Sequence, residues 1–370
     1  MLMIGASRLL REMPEGYEKA CYTTKAMIRR RDIKDPNDLM LLSLYHLLNG
    51  CSLMEVSAIS KLTKIGDISD VAFMKRFQKC SNWFKWVIDN TVSDGLIEYD
   101  IPETLRGYRI LATDASDVTE KGRAERYYRL HFALDIVKMH AAYYNITTQN
   151  VGESLRNFDF QKNDLVLADR IYSTPTGIEY CEGRNVQYVL RMRVNSFTVY
   201  DAENRKLDVC SIIGQNECGS FYGYIKRENQ THKVRICYKR KDAEAIEATR
   251  KRLHRRESKN QCTISERTKS FNEYIVVVTS LPDTISAKEI LDLYRYRWQV
   301  ELYFKRLKSI LNYGELPKRT EASIFSWLNG KLMIALLIER MLSKDSFPPE
   351  AQSFEEYLEG DEDSDFASCQ

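Results

Sequence analysis

Residues 1 to about 95 read as helical. Dense leucine over 38–48 predicts a helix that the glycine at 50 ends. A second helix is expected over 52–60, where Ser52 and Glu55 have the spacing of a capping box. After a link at 62–67, a third is expected over 69–79, carrying Lys75, Arg76 and Lys79. Two short helices with a basic second member fit a helix-turn-helix, and a plain helical bundle gives the same pattern. From about 107 the pattern changes to short apolar runs. Residues 108–113 run up to Asp114, and 165–168 run up to Asp169. Residues 129–136 and 141–147 suit a β-hairpin, 152–158 a short helix, 175–183 a helix and 186–192 a strand. Strands that feed carboxylates predict an α/β core.

Residues 197–200, 209–213, 221–225 and 234–238 alternate as short β-type runs and predict a β-rich insertion. A very basic helix is expected at 243–260, containing Arg250, Lys251, Arg252, Arg255, Arg256 and Lys259. It suits DNA tracking or a plain solvated face. A strong strand follows at 274–281. One long helix is then expected over 286–310, with Ser286 and Glu289 as its cap. An apolar helix covers 321–342. The longest apolar stretch, 332–338, falls short of the roughly 18 to 20 residues of a membrane span. Residues 1–15 have no apolar core of signal-peptide type. A cytoplasmic location and no membrane are expected.

Composition narrows the chemistry. Of 370 residues, 44% are apolar, enough for a sizeable core. The nine cysteines contain no Cys-x-x-Cys pair. The five histidines (His46, His131, His140, His232, His254) form no cluster, so reduced thiols are expected and no zinc site. His131 is expected to be a structural histidine near the site, with a role in the chemistry as the alternative. The net charge is +3, but nine of the 52 acidic residues and none of the 55 basic ones lie from Asp345 onward, leaving +12 on residues 1–344. A body that basic is compatible with a polyanionic partner such as nucleic acid. The tail, 344–370, is expected to be disordered.

Asp114 and Asp169 each end an apolar run, where α/β sheets collect ligands. A carboxylate beside apolar core is costly unless a cation is bound, and hard oxygen ligands suit Mg²⁺ or Mn²⁺. Either Asp alone is better explained as the start of a turn or the cap of the next helix. Around 286–310, a wheel at about 100° per residue puts Leu293, Tyr296, Val300, Phe304, Leu307 and Leu311 in one apolar arc. Tyr294, Arg297, Glu301 and Lys308 fall together in an adjacent arc about 60° wide. An exposed mixed-charge face, with Glu301 and Lys305 at i,i+4, would read the same way.

The spacing of Tyr294, Arg297, Glu301 and Lys308 is similar to the signature of bacterial transposases of the insertion-sequence-four group. The segments around Asp114 (Ala112–Ser116) and Asp169 (Leu167–Ser173) resemble that family's first- and second-Asp motifs. The resemblance covers roughly residues 107–342. It implies a ribonuclease-H-like catalytic core at 105–194 and 275–343, interrupted by a β-rich insertion at 195–274 and preceded by a helical DNA-binding region at 1–100. It implies that Asp114, Asp169 and Glu301 are catalytic and bind the divalent metal, Mg²⁺ or Mn²⁺ and two ions. Tyr294, Arg297 and Lys308 would contact phosphates of DNA, the partner being terminal repeats and then target DNA, with a homodimer at synapsis. Some family members cut the second strand through a hairpin, helped by a Trp in the insertion. Here Trp83, Trp86, Trp298 and Trp327 all lie outside it, so the hairpin route is not implied for this chain; Phe221 and Tyr222 are the alternative stacking aromatics, and a core role is the commoner one for such residues. The alternatives are a catalytically silent DNA-binding relative and a metal-dependent nuclease without strand transfer.

Overall fold

The computed structural model describes residues 2–48, 50–91, 103–120, 123–228, 230–316 and 320–344. The expected disorder of the tail therefore falls, from residue 345, outside the described residues.

Six helices come first: α1 (Leu2–Arg11), α2 (Tyr17–Thr23), α3 (Pro36–Leu48), α4 (Leu53–Leu62), α5 (Asp70–Phe77) and α6 (Ser81–Asn90). Helix α3 is apolar nearly all round and is accordingly buried, with Leu39, Met40, Leu42, Leu44 and Leu47 inaccessible. Both capping readings hold where α4 starts. Ser52 accepts from the Glu55 amide, and the Glu55 carboxylate accepts from the Ser52 amide.

The sheet then builds from β1 (Arg109–Glu120), β2 (Arg123–Asp135), β3 (His140–Thr148) and β4 (Asp164–Ala168). Next come helix α7 (Pro175–Gly183), β5 (Gln187–Arg191), α8 (Val209–Ile213), β6 (Cys218–Arg227) and β7 (Gln230–Arg240). Helices α9 (Ala243–Asn260) and α10 (Glu266–Asn272) lead to β8 (Tyr274–Thr279), α11 (Ala287–Tyr294), α12 (Trp298–Leu311), β9 (Glu315–Leu316) and α13 (Glu321–Lys344). The strand order is β3-β2-β1-β4-β5-β8-β7-β6, with β9 beside the far end of β1. Strands β1, β4 and β5 are parallel; β2, β3, β6, β7 and β8 pair antiparallel.

Both faces of the sheet are covered, which is why its central strands read as continuous apolar runs. On β4, Leu165 and Leu167 join a core shared with the N-terminal helices, α12 and α13, while Val166 and Ala168 join a second core under α7 and α8. Helix α12 is fixed by aromatic packing. Phe132 on β2 stacks on Tyr303 at 4.7 Å and lies 6.0 Å from Phe304.

Several expectations are corrected. Residues 209–213 are helical rather than extended, because the Asp208 side chain accepts from the Cys210 amide and caps a helix there. Residues 197–200 reduce to isolated bridges at Tyr200. The short helix at 152–158 is a single 3₁₀ turn, Leu155–Asn157. The helix over 286–310 is interrupted by a 3₁₀ turn at Arg295–Arg297. Asp114 does not end its strand: β1 continues to Glu120 on β2, and only the parallel pairing to β4 stops at Thr113.

Helix α13 also departs from expectation. By length and composition it is apolar enough to cross a membrane, with mean hydropathy 1.3 in an 18-residue window of Glu321–Met341, yet 78% of that window is buried in the protein. Lys331 hides the length of the apolar stretch in the sequence. It is buried beside the Trp327 ring, and burial lowers its pKa to about 8.

Replacing Phe132 by Ala would leave α12 without its stacked anchor. We expect a loss of about 3–5 kcal/mol in chemical denaturation; a loss below about 1 kcal/mol would show that α12 is held elsewhere.

Candidate active site

The site begins with register. The last parallel pair between β1 and β4 is Thr113 with Ala168, so Asp114 and Asp169 leave neighbouring strands side by side. Such strands lie about 4.8 Å apart. Asp169 also starts a turn, its Oδ1 accepting from the Ile171 amide at 2.9 Å. The turn reading of Asp169 therefore holds. The turn is tight: a Cβ at position 177 would sit 2.8 Å from the Tyr172 carbonyl, so glycine is needed there. Thr174 then caps α7.

The third carboxylate arrives on α12. The 3₁₀ turn at Arg295–Arg297 packs beneath β1 and β4. In a 3₁₀ turn residues three apart eclipse one another, which brings the Arg297 guanidinium 5.8 Å from the Tyr294 ring centre. The chain then becomes α-helical, where residues four apart meet, and Arg297 Nη2 reaches Glu301 Oε1 at 2.6 Å. The spacing of three and then four residues follows from this change of helix type. Lys308 lies two further turns along the same face.

Burial divides the four. Tyr294 and Arg297 are 1% and 0% exposed, whereas Lys308 is exposed. The wheel had placed all four at the edge of the buried stripe. Packing of the 3₁₀ turn on the sheet draws the first two inside. The apolar arc itself is as expected, with Leu293, Val300, Phe304, Leu307 and Leu311 buried and Tyr296 half-buried.

A cleft of about 590 Å³ opens here, lined by Asp114, Ser116, Glu301, Lys305 and Lys308 among others. The pKa of Asp114 is raised well above the usual carboxylate value. Burial is the main cause, and the charges of Asp169 and Glu301 add to it while Arg297 opposes them. The buried Arg297 guanidinium thus acts on both Asp114 and Glu301. Among the described residues no group of three or more His, Cys, Asp or Glu is arranged to hold a metal ion; Glu301 is turned onto Arg297 instead. The donor chemistry nonetheless fits a divalent cation, being all oxygen and short of positive charge.

The family model for the transposase DDE domain matches residues 105–337. The chain belongs to that family. Transposases act on DNA, and this one groups with those of insertion sequences. It is 26% identical to the transposase of insertion sequence element IS421 from Escherichia coli over 354 residues, 92% of this chain and 95% of that one. InsL of insertion sequence element IS186A from Escherichia coli (strain K12) is also 26% identical, over 353 residues, 92% of this chain and 95% of its own. The transposase of IS231C from Bacillus thuringiensis subsp. berliner is 25% identical over 202 residues, 49% of this chain and 42% of its own. A solved piggyBac transposase synaptic complex with hairpin DNA aligns with 95% of this chain and 76% of its own at 10% identity and a TM-score of 0.40.

The sequence did not single out three groups of this transposase. Arg129 on β2 binds Asp117 through two nitrogens, at 2.7 and 3.3 Å, and approaches Glu153 at 3.6 Å. Burial raises the pKa of Glu153 to about 7; Arg129 opposes the shift, and the charges of Asp169 and Asp117 add to it. Tyr172 is buried, within electrostatic reach of Asp114, Glu153 and Asp169. Glu153 and Tyr172 sit in irregular segments, where periodicity says nothing. His131 is fully buried, 3.0 Å from Thr147 Oγ1, and burial lowers its pKa to about 4, so it is neutral near pH 7, as a structural histidine would be.

Because its pKa is held above the unfolded value, Asp114 lowers the stability of the native state as pH rises above the ordinary carboxylate range, and that loss is absent below this range. Asp114→Asn should therefore stabilise the transposase in EDTA at pH 7, with the difference from wild type shrinking as pH falls toward the ordinary carboxylate range. Thermal unfolding of both proteins across pH checks this. A variant less stable than wild type at pH 7 would contradict the assigned charge crowding.

Proposed function

We propose that this transposase cleaves the ends of its insertion sequence by metal-dependent phosphodiester hydrolysis and joins the freed 3′-OH to target DNA. The observation carrying the reading is that the charges of Asp169 and Glu301 both act on buried Asp114, that Asp114 and Glu301 line one cleft, and that the buried Arg297 pairs with Glu301 there. We further read the order β3-β2-β1-β4-β5, followed by a carboxylate-bearing helix, as a ribonuclease-H-like core occupying 105–194 and 275–343. Residues 195–274 are then its β-rich insertion, and 1–100 its helical DNA-binding region.

Asp114, Asp169 and Glu301 would hold Mg²⁺ or Mn²⁺, two ions by analogy with other two-metal phosphoryl-transfer sites. Bound there, such ions supply an activated nucleophile and stabilise the departing oxyanion. The chain's own residues do the rest. Tyr294 and Arg297, expected to contact phosphates, are buried, so their role is a different one: Arg297, beside Tyr294, sets the position of the Glu301 carboxylate. Lys308 and Lys305, both exposed at the rim, meet the phosphate backbone. Asp114 and Asp169 are held on the sheet by register. The partners are DNA, as terminal inverted repeats and then target, and a second copy of the chain at synapsis. The location is cytoplasmic, on the nucleoid when DNA is bound.

Labelled DNA carrying the element's ends, incubated with Mg²⁺ or Mn²⁺ and with EDTA, tests the proposal. Wild type should cut only with metal, and Glu301→Ala should lose more than about 100-fold in rate. Joined products distinguish transposition from plain nuclease action. Ends that are bound but never cut would mark a silent relative.

A further inference from the structure

A second positively charged site lies away from the cleft, in the N-terminal helices. A hollow of about 420 Å³ is lined by Ala26, Ile28, Arg29, Arg31, Lys75, Arg76 and Lys79, five cations and no acid. Among the described residues none of these five has a carboxylate within salt-bridge distance. The two walls come from segments more than forty residues apart in sequence, so the fold itself assembles the charge.

The hollow is built rather than incidental. The Arg29–Arg31 run is tethered on both sides, with Ala26, Met27 and Ile33 buried while the three arginine side chains stay exposed. Arg76 donates to the Arg29 carbonyl at 3.3 Å and ties the run to α5. Behind it, the link between α4 and α5 approaches so closely that a Cβ on Gly66 would sit 2.0 Å from the Asp32 carbonyl oxygen. Ser60 and Ser57 donate to the Gly66 and Ile68 carbonyls, both at 2.7 Å, and hold that link in place. Concentrating five unpaired cations costs self-repulsion, which a polyanion relieves.

The other basic surface, α9, is different. Lys251 pairs with Glu247 at 2.7 Å, Arg250 pairs with Glu273 at 2.5 Å, and Glu244 and Glu247 line the hollow beside it. Much of its charge is already neutralised.

We infer that the hollow between residues 26–31 and α5 is a clamp for the phosphate backbone of duplex DNA, separate from the cleavage cleft. This rests on the reading that the chain acts on DNA. Lysine and arginine on two fixed walls hold phosphates without reading sequence, so the clamp contributes affinity and orientation.

The test uses the full chain and a fluorescein-labelled duplex DNA, with binding followed by anisotropy across a salt series. The combined variant Arg29→Gln, Lys75→Gln, Lys79→Gln should bind about tenfold or more weakly at moderate salt, and its log K against log salt slope should be shallower by about 2 to 3. Removing the same charge from α9, by Lys251→Gln, Arg255→Gln and Lys259→Gln, should change the slope less. Thermal unfolding confirms that each variant is folded, and Lys75→Gln alone serves if the combined variant is not. An unchanged slope in a folded groove variant, or an equal loss from the α9 variant, overturns the clamp. So does tighter binding to duplex RNA than to duplex DNA. If wild type cuts end DNA with metal while the groove variant binds normally, the function stands and the clamp falls. If wild type neither binds nor cuts DNA, the DNA reading fails and takes the clamp with it.

Discussion

A guanidinium buried beneath a sheet that also carries carboxylates organises this molecule. Arg297 is fully inaccessible, and taking an arginine out of water costs several kcal/mol unless close partners offset it. Glu301 at 2.6 Å is one such partner, and the Asp114 charge is within reach. The ion pair in turn requires α12 to lie at one height and rotation against β1 and β2, which the stacking of Phe132 on Tyr303 provides. It also requires the tightened turn before α12, since only that turn places Tyr294 and Arg297 together against β1 and β4. Charge, helix geometry and core packing are thus a single constraint.

That constraint leaves the site short of positive charge inside and supplied with it outside. Burial raises the pKa of Asp114, and the neighbouring charges of Asp169 and Glu301 add to the shift while Arg297 opposes it. The exposed lysines at 305 and 308 stand at the rim, where solvent screens them from the carboxylates. A divalent cation suits the interior of such an arrangement and a phosphodiester suits its edge.

Much of this was legible in the sequence, for identifiable reasons. The strands leading to Asp114 and Asp169 are apolar on both sides because both faces of the sheet are covered, and that produces an unmistakable run. The arc of Val300, Phe304, Leu307 and Leu311 follows from helical period alone. The capping boxes at Ser52 and Ser286 are local hydrogen bonds between residues three apart, so they survive translation into structure. What was missed depends on tertiary context. Nothing in a wheel at a constant angle reveals a switch to 3₁₀ geometry, which is why Arg297 was placed at the edge of the stripe and is found inside it. The run at 209–213 is apolar enough for a strand, and a single capping aspartate decides for helix. Glu153 reaches the site from a loop.

Glu153 also bears on how the site tolerates its own charge. Arg129 is held mainly by Asp117, through two nitrogens, and Glu153 stands farther off at 3.6 Å. With its pKa raised to about 7, Glu153 takes up a proton near neutral pH, whereas an ordinary glutamate stays ionised. Asp169 is one of the charges responsible. Adding positive charge beside Asp169 would weaken that repulsion and lower the pKa of Glu153, so that it releases its proton. Cations bound beside Asp169 and the ionisation of Glu153 would therefore be coupled through the repulsion between these two carboxylates.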